Sequence, residues 1–192
     1  QRVANRGDPA LEPSWGIQGP GTPGRNDWEN EFSLDHFLFL WEEVQKRLGP
    51  KRVPELVLRF PYLAGGRPDR LPGVTELEQL VRERKAVIIA TGDLFHHGLA
   101  YGNSPDESRA PETGGFDLAR RAIEDGFELL RKGDYAGYNR HSVASKSDAR
   151  DVGQLLRHLT GPCHGRLLDL VAEDMTGPYG SPAPSWVAGA LV

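Results

Sequence analysis

The sequence predicts an α/β fold, with a mixed or largely parallel central sheet flanked by helices and preceded by an irregular Pro/Gly-rich N-terminal arm. Three observations predict it. Short apolar runs alternate with segments of helical periodicity. One run, Ala86-Val-Ile-Ile-Ala-Thr91, is apolar without interruption, which suits a strand buried in a sheet covered on both faces. Residues 1–30 carry Pro9, Pro13, Pro20 and Pro23 among several glycines and keep neither a period of 2 nor one of 3.6.

The elements follow in order. Trp15 and Trp28 are candidate anchors for the arm, each offering a large ring to a surface. From Ser33, a plausible N-cap, Leu34, Phe37, Leu38, Trp41, Val44 and Leu48 recur at helical spacing until Gly49-Pro50. Glu55 to Phe60 alternates like a strand. Thr75 and Glu78 form a capping box for a helix reaching about Arg84. After the apolar strand comes a Gly- and Pro-rich loop, then a helix over about Phe116–Lys132 with Ala119, Ala122, Ile123, Phe127 and Leu130 as its stripe. Asp134 to Asn139 predicts a short turn, and Ser147 or Asp148 caps a helix to Leu159. Thr160-Gly-Pro162 breaks it, Cys163 to Glu173 reads as helical, and Ser185 to Val192 reads as a strand. The expected organisation is an arm over 1–30 and one α/β domain over 31–192.

Composition narrows the function classes. The 192 residues allow one domain with an ordinary core. A net charge of −4 offers no basic field for nucleic acid or acidic lipid. No apolar run approaches the ~18 residues of a transmembrane helix, and no charged-then-apolar leader opens the chain. We therefore expect a cytoplasmic protein with neither a membrane nor a nucleic-acid partner. The single cysteine, Cys163, rules out a disulfide framework. No Gly-x-Ser-x-Gly elbow and no phosphate-binding loop is present.

The chemistry concentrates in Thr91-Gly-Asp-Leu-Phe-His-His-Gly98, at the carboxyl end of the predicted buried strand, where α/β sheets collect ligands. Asp93 and His96 stand three apart, close enough for a carboxylate to orient an imidazole that accepts and returns a proton. His97 doubles the imidazole supply and is a candidate substrate contact; packing of one ring in the core and solvation of the other is the competing reading. Tyr101 and Asn103 follow on the loop and are candidate substrate contacts, or simply exposed loop. Cys163-His164 follows Gly161-Pro162 at a predicted helix start, where the dipole favours a thiolate. The pair reads as metal ligands, a redox thiol or a nucleophile, against a small buried residue. His36 reads as core edge or surface, and His141 and His158 as solvated.

The segment Val87-Ile-Ile-Ala-Thr-Gly-Asp-Leu-Phe-His-His-Gly98 resembles the strand-plus-histidine segment of the superfamily that contains class III extradiol ring-cleavage dioxygenases and the Memo family. Glu31-Phe-Ser-Leu-Asp35-His-Phe-Leu is similar to the Memo-type Glu-His-Ser-Leu-Glu stretch. Gly133-Asp134, Leu167-Leu168 and the closing Ser185-Trp-Val-Ala-Gly-Ala-Leu191 follow in the family's order, so the resemblance covers about 31–192. It implies a non-haem Fe(II) extradiol-type dioxygenase, or a subunit of one, that opens a catechol- or aminophenol-type ring with O₂. It places the family's acid/base histidine on His96. The family's two ligand histidines have no counterpart here, and its carboxylate ligand falls near Cys163 or Arg166. The resemblance therefore implies a missing or separate N-terminal segment, supplied by a second polypeptide or subunit. The alternative is a non-catalytic, Memo-like or subunit-type metal- or ligand-binding protein. A third possibility builds a different site from His96, His97, Cys163 and His164.

Overall fold

A computed structural model of the chain describes residues 15–22 and 27–191. The elements are β1 (Gly16–Gln18), α1 (Phe32–Leu48), β2 (Phe60–Tyr62), α2 (Val74–Arg84), β3 (Phe95–Gly98), α3 (Gly115–Lys132), α4 (Tyr135–Ala144), α5 (Arg150–Thr160), β4 (Asp169–Asp174), α6 (Thr176–Tyr179) and β5 (Ser185–Leu191). The architecture is mixed α/β, as expected, but both sheets are antiparallel. One pairs β1 with β2; the other has the order β3-β5-β4. The expected parallel sheet is absent among the described residues. β4 and β5 are joined by a short reversal, and a parallel pair needs a crossover of roughly a dozen residues or more.

Two apolar clusters hold the elements together. Ile17, Ala64, Leu71, Val74, Leu77 and Leu155 form the first. Phe95 of β3, Trp186 and Ala188 of β5 and Ala119 of α3 form the second. Alternation along β4 follows from the period of a strand: Leu170 and Ala172 pack on the second cluster, while Val171 is exposed. The arm expected over 1–30 lies partly outside the described residues. Within it Trp15 is exposed and Trp28 half-buried, and β1 packs on the body through Ile17, which enters the first cluster.

Local chemistry displaced several expected boundaries. Glu31 caps α1, its carboxylate accepting from Ser33 N at 3.4 Å, so Ser33 lies inside the helix. The Thr75/Glu78 box does not form. Gly73 precedes α2 without a side-chain cap, and Glu78 instead accepts from His158 Nε2 at 2.7 Å. That contact takes His158 out of solvent. His141 is likewise engaged, on the Ala122 carbonyl at 2.6 Å. Asp134 caps α4, accepting from Gly137 N at 2.8 Å, and turns the expected short turn into a full helix. Cys163 to Leu168 is irregular and Asp169 onward is a strand, not a helix. Ala86 to Thr91 belongs to no helix or sheet, with Val87 90% and Ile89 62% exposed. Its apolar continuity was read as burial, yet no described strand runs beside it. Glu55 to Arg59 likewise joins no helix or sheet, and only Phe60 enters β2. No helix among the described residues is long and apolar enough to cross a membrane.

Trp186 is the largest fully buried side chain, and its Nε1 donates to the Arg109 carbonyl at 2.8 Å. Trp186→Ala removes both the ring and the bond, so urea unfolding should show a loss of about 3–5 kcal/mol. Trp186→Phe, which keeps a ring, should cost less.

Candidate functional site: an aspartate–histidine cluster at the edge of the sheet

β3 pairs with β5 so that His96 faces Val187 and His97 faces Trp186. Successive strand residues point to opposite faces. The two adjacent histidines are therefore separated by the sheet itself. His97 joins Phe95 and Trp186 on the face that packs under α3, with ring centroids 5.7 and 5.5 Å away. Its Nε2 accepts the Arg109 N–H at 3.0 Å, which fixes the proton on Nδ1. Burial, with the nearby Lys146 charge, holds His97 below its ordinary value of 6.5.

His96 lies on the other face, where its side chain is 9% exposed. Its backbone N–H donates to the Ser145 carbonyl at 3.2 Å, and its Nδ1 donates to the Lys146 carbonyl. That contact leaves Nε2 as the free nitrogen. Nε2 points between two carboxylates, 3.6 Å from Asp93 Oδ2 and 3.7 Å from Asp148 Oδ2. Burial alone would lower the imidazole pKa. The Asp93 and Asp148 carboxylates and the Lys146 carbonyl outweigh burial, and His96 is held above 6.5. Asp148 is itself pushed up, by partial desolvation of its carboxyl and by the Asp93 charge.

The turn between α4 and α5 builds this arrangement. Lys146 adopts φ 56°, a left-handed conformation uncommon outside glycine, and so directs its carbonyl at His96. Ser147 Oγ and the Asp148 and Ala149 N–H groups all donate to the Asp93 carbonyl, at 3.1, 3.0 and 3.2 Å. Gly98 ends β3 at φ 107°, and a Cβ there would strike the Pro184 carbonyl, so the strand must close on glycine.

Of the residues expected from sequence, Asp93, His96 and Tyr101 come together, the Tyr101 ring lying 4.7 Å from the His96 ring. Burial and the two aspartate charges push the Tyr101 phenol up. Asn103 Oδ1 accepts from Gly98 N at 3.0 Å and from Lys146 Nζ at 2.7 Å, so it braces the loop beside the cluster. His97 is on the far face. Cys163 and His164 join no group of metal-ligating side chains among the described residues; His164 lines a separate hollow with Phe127 and Arg131. Asp148 is the member of the cluster that sequence reading passes over. It was visible only as a helix-start acid, and nothing in its local sequence marks its approach to His96.

A cleft of about 540 Å³ opens beside the cluster, walled by Asp93, Asp148, Arg59, Arg150, Ser33 and Ile89 among others. Its size suits a small molecule. No protein-family model matches the chain, and comparison with curated proteins and with solved structures finds no match.

The adjacent histidines should titrate in opposite directions. By NMR, His96 should lose its proton above pH 6.5 and His97 below it. Asp148→Asn removes one of the charges that hold the proton, so it should lower the His96 midpoint and leave that of His97 in place.

Proposed function

We propose that this chain forms the acid/base wall of an extradiol-type dioxygenase that opens a catechol- or aminophenol-type ring with O₂. The observation that carries this reading is His96. Its ring is held by the Lys146 carbonyl and its Nε2 lies between Asp93 and Asp148, and these two carboxylates, with the ring behind them, line a cleft of small-molecule size. An ortho-diol must lose a phenolic proton to bind through both oxygens, and an oxygen attacking the ring needs a hydrogen-bond donor beside it. An imidazole held above 6.5 keeps its proton to higher pH than a free one, which suits the donor step. Asp93 and Asp148 keep the proton on the imidazole, and Tyr101 closes one side of its ring.

The resemblance also implies Fe(II). A set of two histidines and one carboxylate is not assembled among the described residues. His96 is the only imidazole in a ligand cluster, and its companions are two carboxylates. In this reading the iron and its ligands belong to a second polypeptide or subunit. The exposed surface supports that partner. α1 has no buried residue, Phe39 and Leu40 are 64% and 62% exposed, and the 86–91 segment has no strand beside it. The same surface is what favours the alternative, a non-catalytic subunit-type binding protein.

The test is ring opening by the natural assembly. His96→Gln should slow appearance of the coloured ring-opened product by about 10²–10⁴-fold, with the circular dichroism spectrum unchanged. Unchanged turnover would remove His96 from the chemistry. An assembly without iron that opens no ring would leave the binding reading standing.

A further inference from the structure

We infer that Asp93, His96 and Asp148 form a divalent-cation site in their own right, suited to a first-row ion such as Mn(II) or Zn(II). The inference does not rest on ring cleavage. It rests on three features of the cluster.

The first is spacing. The three ligand atoms lie within 4.8 Å of one another, with Nε2 at 3.6 and 3.7 Å from the two aspartate oxygens. A metal about 2.1 Å from each donor separates neighbouring donors by about 3.0–3.5 Å in octahedral or tetrahedral geometry. An inward movement of a few tenths of an ångström brings the two nitrogen–oxygen edges to that spacing, and the Asp93–Asp148 edge, within 4.8 Å, closes by a larger swing of the Asp148 carboxylate. Asp148 can make such a movement, since its side chain is 75% exposed.

The second is the state of His96. Its side chain is more than nine-tenths buried, its outer N–H is engaged by the Lys146 carbonyl, and its Nε2 is aimed at the cluster. Nε2 meets both carboxylates at 3.6 and 3.7 Å, ion-pair distances longer than an ordinary hydrogen bond. An imidazole oriented through its other nitrogen by a backbone carbonyl is how proteins present a metal ligand.

The third is charge. Among the described residues neither Asp93 nor Asp148 is ion-paired with a lysine or arginine. Arg150, on the same cleft wall, is committed to Asp151 at 2.9 Å. Two converging carboxylates without a fixed cation leave room for a mobile one. The donor set of one nitrogen and two oxygens selects the ion. Imidazole suits Zn(II), carboxylates suit Mn(II), and Mg(II) prefers an all-oxygen shell rich in water.

A cation on Nε2 occupies the position from which His96 would move a proton. Where the acid/base reading holds, such an ion is an inhibitor of it. Binding itself is measured without any turnover.

The experiment uses the full chain, stripped with chelator and titrated calorimetrically with Zn(II), and with Mn(II) followed by electron paramagnetic resonance. One ion per chain is expected, with Mg(II) at equal concentration failing to displace it. Asp148→Asn sits at the surface and should fold normally. It should weaken binding by at least the about 10–100-fold that loss of an outer-shell partner costs, and His96→Gln should do the same. Cys163→Ser should leave the isotherm unchanged. No saturable binding at one ion per chain would overturn the inference. So would binding indifferent to Asp148→Asn, or binding lost in Cys163→Ser, which would move the site to the 163–164 segment.

Discussion

The arrangement depends on one clasp, the hydrogen bonding between the α4–α5 turn and the backbone of Asp93 to His96. Five contacts from residues 145–149 reach it: two carbonyls receive His96 donors, and three donors converge on the Asp93 carbonyl. β3 lies at the edge of its sheet, and an open edge invites unwanted pairing. The turn takes the place of a neighbouring strand. It therefore does two things with the same atoms: it closes the sheet, and it delivers Asp148 to the imidazole that the sheet presents.

The clasp explains why an unfavourable charge pattern persists. Two carboxylates within 4.8 Å repel by about 1–3.5 kcal/mol, from a fully aqueous to a surface-like effective dielectric. The backbone contacts hold them regardless of that repulsion. The relief has to come from a positive occupant between them, either the imidazolium proton or a metal ion. A proton donor and a cation site are thus two outcomes of one electrostatic demand, distinguished by what occupies the gap. His97 shows the contrast. It is adjacent in sequence and also buried, but its nitrogen is satisfied by Arg109 N–H and its face is aromatic, so it is held neutral.

How much of this was legible in the sequence depended on how local the determinants are. The stripe of α3 and the apolar run of β5 carry their own periodicity, and both elements formed where the pattern put them. Asp93 and His96 are legible because they stand three residues apart, at the entry to β3 and on it. The face each histidine would take was not, because it depends on β3 being a strand at all; the apolar run before it was the stronger strand signal and is not one. Residues 86–91 have the composition of a buried strand but lack the neighbour that would make them one. Asp148 and the Lys146 carbonyl were invisible for a related reason. They belong to the site through a tertiary contact between segments far apart in the chain, and no spacing rule reaches across it. Cys163 to Glu173 misleads in the opposite direction: the segment reads as helical, whereas Leu170 and Ala172 pack with strand alternation.

The exposed apolar surface and the cleft are the same structure seen from two sides. Phe32 and Leu34 of α1 and Ile89 of the unpaired segment line the cleft, while Phe39, Leu40 and Val87 point their apolar groups outward. Thr91 Oγ1 and Ser33 Oγ, 3.4 Å apart, join the two walls near Asp93. α1 buries no side chain of its own, and a helix in water draws most of its stability from packing an apolar face. A body that covered the outer side of α1 and of residues 86–91 would thus fix the positions of the inner side as well. The width of the cleft above Asp93 and Asp148 would then be set by that contact, while the cluster itself is held within the chain by the α4–α5 clasp.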